Sequence, residues 1–254
     1  MNKNFKINLV IPCAGKSNRF YKEGYKKHKA FLDLDERFTV VRKIIDGFDK
    51  EVFDYHLIFT FSQIKKFKNE LYTLSQNYEN IKIHGIEEHE LGPTFSVSQI
   101  KIESHKPILI HYCDFETIFD KSKLIKHLLS GYIVAPYFKG FHPASLGTTN
   151  FAYMILDSIG EMQNLQEKKS FTENRIFEPA STGIYGFPSF ANFMILKNKL
   201  FSKKKDWDLP EAYTSLLLNE AIEENMIVKC IEVDKFICFG TPRDYKEYIY
   251  WLNL

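Results

Sequence analysis

Short apolar runs recur along the first half of the chain, separated by stretches in which apolar residues return every three or four positions. Residues 7–11, 55–61, 81–86 and 107–112 have the length and composition of buried strands, the first of them ending at Pro12. Between them, 38–48, 63–76 and 94–104 show helical spacing, as in Val40, Val41, Ile44, Ile45 and Phe48. Strands alternating with helices at this interval predict βαβ units and an α/β fold with a mostly parallel sheet. The second half is less regular. It predicts strands over 133–137, 151–156, 182–187, 227–233 and 236–239, and helices over 190–201, 210–224 and 242–252. No internal repeat and no Pro/Gly/Ser-rich linker divides the chain, so residues 1–254 read as one domain.

Composition narrows the class. Apolar residues make up 44% and charged residues 26%, which suits a globular domain and argues against disorder. With 34 Lys+Arg against 32 Asp+Glu the net charge is +2, without the basic excess of a dedicated nucleic-acid binder. The four cysteines show no C-x-x-C spacing and stand in apolar runs, as buried free thiols do in a reducing compartment. No apolar run approaches the roughly 18 residues of a membrane span, and no leader precedes 7–11. A cytoplasmic protein without membrane or nucleic-acid partners is the expectation. Only 12 glycines are present, so each one in a turn motif is informative.

In open α/β sheets, ligands bind beyond the carboxyl ends of the strands. The loop after the first strand runs Pro12-Cys13-Ala14-Gly15-Lys16-Ser17-Asn18-Arg19-Phe20, with Lys29 ten residues after Arg19. Gly15-Lys16-Ser17 imitates the end of a P-loop, but the glycine that motif needs five places earlier is Val10. A P-loop NTPase is therefore disfavoured, and G-x-G-x-x-G is absent too. A short loop of N–H donors followed by Arg19 and several lysines still suits a triphosphate. Lys22, Lys26 and Lys27 read as a solvated basic loop.

Asp114 follows the fourth strand, where it serves either as a helix cap or as a metal ligand. Asp114-Phe115-Glu116 resembles the D-x-D of GT-A glycosyltransferases, with Glu in place of the second Asp, a competing reading that leaves Arg19 and Lys29 without a task. His84 and His89 do not form H-E-x-x-H, and no G-x-S-x-G elbow is present. His142, in Gly140-Phe141-His142-Pro143, reads equally as a substrate contact or an ordinary turn residue.

Residues 10–20 with Lys29-Ala30-Phe31-Leu32 resemble the signature of the GT-A-like nucleotidyltransferases. Leu91-Gly92-Pro93-Thr94-Phe95-Ser96-Val97 is similar to the segment that contacts base and ribose, and Tyr112-Cys113-Asp114-Phe115 to the strand end presenting the metal-binding Asp. Glu167-Lys168-Lys169, Ser181-Thr182-Gly183-Ile184-Tyr185-Gly186-Phe187 and Gly240-Thr241-Pro242 resemble later elements of that pattern in the same order. One departure stands out: where relatives carry a second metal-binding Asp, two residues before Gly240, this chain has Cys238. A thiol is a poor Mg²⁺ ligand.

The resemblance implies a Rossmann-like αβα sandwich with a mostly parallel mixed sheet. It implies a nucleotide-binding half over about 1–115 and an acceptor-binding half over about 116–254. It implies transfer of a nucleoside monophosphate from an NTP, CTP by the compact Ala14-Gly15 turn and Ser96, to a phosphorylated acceptor. Arg19, Lys29 and Lys168 would be catalytic. Ala14, Gly15, Lys16, Ser17, Gly92, Ser96 and Asp114 would bind the nucleotide, and His142, Lys168 and Gly183 the acceptor. Mg²⁺ would rest on Asp114 and on Asp234 in the place of the missing Asp. The Tyr-Cys-Asp-Phe and Phe-His-Pro elements resemble a branch of the family tied to surface-polysaccharide synthesis. A sugar 1-phosphate acceptor, a glycosyltransferase and a non-catalytic nucleotide binder stay open.

Overall fold

The computed structural model describes residues 6–142, 151–203 and 209–254. Pro143 of the Phe-His-Pro element and residues 1–5 ahead of the first strand lie outside the described residues. Four strands, β1 (Ile7–Pro12), β2 (Phe53–Thr60), β3 (Ile81–Ile86) and β4 (Ile108–His111), pair in parallel in the order β3-β2-β1-β4. Alternation along each strand sends side chains to opposite faces. Leu9, Ile11, Leu57 and Leu109 enter one apolar core, while Val10, Ile58, Ile108 and Ile110 enter the other. Both faces are thus buried, as the near-continuous apolar runs require.

Helices cover both faces. α2 (Val40–Asp46), α4 (Lys68–Asn77) and α6 (Lys121–Leu129) pack on the first core; α5 (Pro93–Ser98), α7 (Phe190–Ser202) and α8 (Leu216–Glu223) pack on the second. The result is the expected αβα sandwich. The predicted helix over 63–76 is two, α3 (Phe61–Lys66) and α4, because Phe67 leaves helical geometry (φ −109°, ψ 30°) and sinks its ring into the core. Chain order then gives α1 (Asn18–Lys22) and α9 (Pro242–Leu252) at the two ends of the site described below.

Beyond β4 the sheet becomes mixed. β10 (Ile184–Phe187) pairs antiparallel with β4 and with β6 (Ile133–Phe138), and β9 (Ala180–Ser181), β7 (Ala152–Leu156) and β8 (Met162–Glu167) continue antiparallel. β11 (Val228–Glu232) returns parallel to β6. A separate ribbon joins β5 (Phe115–Ile118) to β12 (Lys235–Cys238). It carries Asp114 at one end and Asp234 at the other, because Cys238 pairs with Phe115 and Lys235 with Ile118. No helix among the described residues is long and apolar enough to cross a membrane.

Candidate active site

A cavity of about 510 Å³ opens where β1 and β4 end, and it reaches across β10 and β8 to the segment before α8. Among the predicted site residues, Ala14, Gly15, Lys16, Ser17, Arg19, Lys29, Gly92, Ser96, Asp114, Lys168 and Gly183 all line it. Residues far apart in sequence therefore share one site.

The loop after β1 is fixed from behind. Cys13 donates its amide to the Ile58 carbonyl at 2.8 Å, and Ser17 turns the chain into α1 through a left-handed backbone (φ 53°). The Gly15 carbonyl accepts from the Gln63 side chain at 3.0 Å and lies 2.9 Å from His28 Nε2. Lys16 reaches Glu90 at 2.8 Å on the exposed rim. Arg19 is exposed on the cavity wall. Its charge is felt by the Tyr213 phenol on the facing wall.

Lys29 opens a 3-10 turn (Lys29–Phe31) capped by His28, and its amide donates to Ser17 Oγ at 3.2 Å. Its ammonium donates to Asp114 Oδ2 at 2.7 Å. Burial is the largest single effect and would lower the Lys29 pKa, but the attraction and hydrogen bond of Asp114, joined by Cys113 and Cys13, together raise it above the usual lysine range. The lysine is a fixed cation. Asp114 is held in turn where Phe239 donates its amide to the Asp114 carbonyl at 2.7 Å.

The wall built by α5 and the wall built by residues 211–215 meet at Gly92. It is left-handed (φ 89°), and a Cβ there would stand 2.7 Å from the Ala212 carbonyl oxygen. Reciprocal backbone bonds, Ala212 to Leu91 and Thr94 to Ala212, pin residues 211–215 beside α5. This overturns the predicted helix over 210–224: α8 begins only at Leu216, and the peeled segment turns Glu211, Tyr213 and Ser215 into the cavity. Ser96 is buried, and His89 Nε2 lies 3.0 Å from its hydroxyl, so the two line the cavity as a pair.

On the wall formed with residues 211–215, Lys168 adopts a left-handed backbone (φ 56°) and donates to the Tyr213 hydroxyl. Glu167 accepts from the Ser215 hydroxyl; burial raises its carboxyl pKa despite that bond. Gly183 (φ 93°) faces the Phe115 ring so closely that a Cβ would sit 2.7 Å from it.

Two expectations are corrected. Asp234 is exposed on the turn before β12, at the far end of the β5–β12 ribbon from Asp114 and outside the cavity. Strand geometry separates Cys238 from Lys235 by roughly 10 Å, so Asp234 cannot share an ion with Asp114. His142 is not on the cavity wall. It stands behind Phe151 and Phe236, with ring centroids 6.2 and 5.1 Å away, and those two rings line the cavity in its place. Glu116 points its carboxylate to Lys43 at 3.7 Å and is also outside the lining.

Asp244 is the carboxylate that the sequence pattern hid. It lies behind Cys238, with Oδ2 3.6 Å from the thiol, and it caps α9 with Thr241. Burial pushes the Cys238 thiol well up, with Asp244 and Asp114 adding to the effect, so the sulfur stays protonated and unsuited to Mg²⁺. A Cβ at Gly240 would come within 3.3 Å of Cys238 Sγ and 3.6 Å of Asp114 Oδ2, so the glycine keeps the space before Asp114 open. Among the described residues no group of three or more His, Cys, Asp or Glu forms a ready-made cage. One or two carboxylates completed by phosphate oxygens is the usual Mg²⁺ arrangement, and the carboxylates of Asp114 and Asp244 both belong to residues that line the cavity.

No family model matches the sequence, and no curated protein matches it. Solved structures match along nearly the whole chain. A nucleoside-diphosphate-sugar pyrophosphorylase from Vibrio cholerae superposes with a TM-score of 0.76 at 18% identity, covering 95% of this chain and 99% of that one. A putative glucose-1-phosphate thymidylyltransferase from Bacillus anthracis gives 0.70 at 12%, covering 96% and 94%. An inositol-1-phosphate CTP transferase from T. maritima gives 0.66 at 13%, covering 98% and 96%. At these identities the likeness is one of fold, and the α/β sandwich with its mixed central sheet is the architecture of those structures.

Proposed function

We propose that this protein is a nucleotidyltransferase that moves a nucleoside monophosphate from an NTP to a phosphorylated acceptor and releases pyrophosphate. One observation supports this above the others: the Lys29–Asp114 pair faces the Gly15 loop in the same cavity as Arg19 and Lys168. An acceptor phosphate oxygen attacks the α-phosphorus in line, a new P–O bond forms, and the bond to the β-phosphate oxygen breaks. Both reactants are anions, so the work is positioning and charge stabilisation. Lys29 and Arg19 supply fixed positive charge to the α-phosphate and the departing pyrophosphate. Lys168 orients the incoming phosphate from the opposite wall. Asp114, with Asp244, offers the hard oxygens that suit Mg²⁺, which would neutralise triphosphate charge.

CTP is the donor to test first, on the compact Ala14-Gly15 turn and the buried Ser96; one structural neighbour is itself a CTP transferase by its description. For the acceptor, the sequence resembles the CTP:phosphoglutamine cytidylyltransferase of capsule phosphoramidate assembly. L-glutamine phosphate, giving CDP-L-glutamine for a surface polysaccharide, is therefore the leading candidate, ahead of a sugar 1-phosphate. The glycosyltransferase reading is weakened by Glu116, which pairs with Lys43 outside the cavity. The test is a pyrophosphate-release screen of four NTPs against phosphorylated acceptors with Mg²⁺. Release that depends on both substrates supports the proposal; nucleotide-sugar consumption without pyrophosphate, or CTP binding without turnover, overturns it.

A further inference from the structure

His28 has no part in the chemistry above, yet it is fully buried immediately beside the catalytic lysine. Its ring lies among Phe31, Phe59 and Phe67, with centroids 6.2, 5.9 and 6.0 Å away. Both nitrogens are engaged, and both partners are backbone atoms. Nδ1 accepts from the Ala30 amide at 3.2 Å. An imidazole that accepts at Nδ1 carries its proton on Nε2 when neutral, so the 2.9 Å contact to Gly15 is an Nε2–H donating to that carbonyl. The described residues contain no cis peptide, and a trans peptide sets its N–H opposite its C=O. Holding the Gly15 carbonyl toward His28 and Gln63 therefore turns the Lys16 N–H the other way, and Gly15, Lys16 and Ser17 line the cavity. The second nitrogen sets the turn that starts at Lys29.

We infer that His28 is a positioning residue: one neutral imidazole holds the Gly15 loop with an N–H donor toward the phosphate site and sets the Lys29 ammonium against Asp114. The inference rests on the nucleotidyltransferase reading for its kinetic consequences alone. A second ring proton would face the Ala30 N–H and break the cap. The charges nearest the ring, Lys29 of the turn and Lys66 of α3, also oppose protonation, and Phe31, Phe59 and Phe67 on the other sides offer no counter-charge.

Two variants separate the two nitrogens. His28→Asn keeps an acceptor for Ala30 and loses Gly15; His28→Gln keeps a donor for Gly15 and loses Ala30. With the full chain, we expect His28→Asn to weaken inorganic tripolyphosphate binding and raise KM for NTP by about tenfold, with kcat within about threefold. We expect His28→Gln to lower kcat by about tenfold with tripolyphosphate affinity within about threefold. Folded variants with both parameters unchanged overturn the inference, as do variants in which KM and kcat change together in step with Tm. Ring-nitrogen NMR of the wild type supplies a readout free of turnover. An Nε2–H tautomer at neutral pH is expected, and an Nδ1–H tautomer overturns the inference. If no NTP is turned over at all, the reaction proposal fails by itself, while the tripolyphosphate and NMR results still decide the role of His28.

Discussion

The ammonium of Lys29 lies 2.7 Å from a carboxylate oxygen of Asp114, 85 residues further along the chain. The pair joins the turn after the first loop to the end of β4, so each charge is set by a different part of the sheet. Removing the lysine leaves a partly buried carboxylate without its cation and takes positive charge from the proposed α-phosphate site. Lys29→Ala should lower kcat by about tenfold or more with an unchanged circular dichroism spectrum. Because Asp114 holds the lysine pKa above its usual range, the wild-type rate should show no basic limb from this group through about pH 9. Near-normal turnover in a folded Lys29→Ala variant removes the assignment.

The two acidic candidates near the C-terminus should separate cleanly. Asp244→Asn should lower turnover by about tenfold and raise the Mg²⁺ concentration for half-maximal rate, since it weakens the second carboxylate behind Cys238. It should also reduce stability by up to about 1 kcal/mol, because a neutral amide oxygen replaces the carboxylate that accepts from Thr241 at the start of α9. Asp234→Ala should leave rate and Mg²⁺ dependence within about twofold, as its exposed turn lies at the far end of the ribbon. A Mg²⁺ titration of both variants measures the difference, and the reverse ranking would restore Asp234 to the site.

Much of this arrangement is legible in the sequence because it depends on strand ends. The apolar runs set β1 and β4, and the residues just after them, Gly15 to Arg19 and Asp114, can lie only at the sheet's carboxyl edge. What was hidden depends on backbone partners. His28 acts on a carbonyl and an amide, which no side-chain pattern reveals. Asp244 stands in Thr-x-x-Asp at a helix start, where it reads as a cap and is one. Tyr213 and Ser215 sat inside an apparently continuous helical pattern that the bonds to Leu91 and Thr94 unwind. β8 was missed because it buries only Met162 and Leu165, three residues apart, and so lacks the period of two.

Gly92 belongs to the proposed nucleotide wall and packs against Ala212 of the proposed acceptor wall. Gly92→Ala must accommodate a Cβ 2.7 Å from the Ala212 carbonyl and a left-handed backbone unsuited to alanine. We expect a loss of about 2 kcal/mol or more. Displacing Ala212 also moves Tyr213 and Ser215, the partners of Lys168 and Glu167. KM for the acceptor should therefore rise by a larger factor than KM for the NTP. Steady-state kinetics with each substrate varied in turn, beside a melting curve, tests this. An effect confined to NTP contradicts the coupling.

Three buried histidines predict how the fold responds to acid. Burial, the largest cause in each case, lowers His28 and His111 from 6.5 to about 4 and His56 to about 3. Between those values and 6.5 the unfolded chain binds protons that the folded chain refuses, so stability rises with pH there and is lost as pH falls. No such loss from these groups occurs above about pH 7. The slope should approach three protons near pH 5, about 1.4 kcal/mol per pH unit for each histidine. Denaturant melts at pH 7, 6 and 5 measure it. His56→Phe, which removes the imidazole bonded to His84 at 2.9 Å, should reduce that slope by about one proton. A wild-type stability that stays flat from pH 7 to 5 would show that these rings are charged in the folded protein, against the burial that holds them neutral.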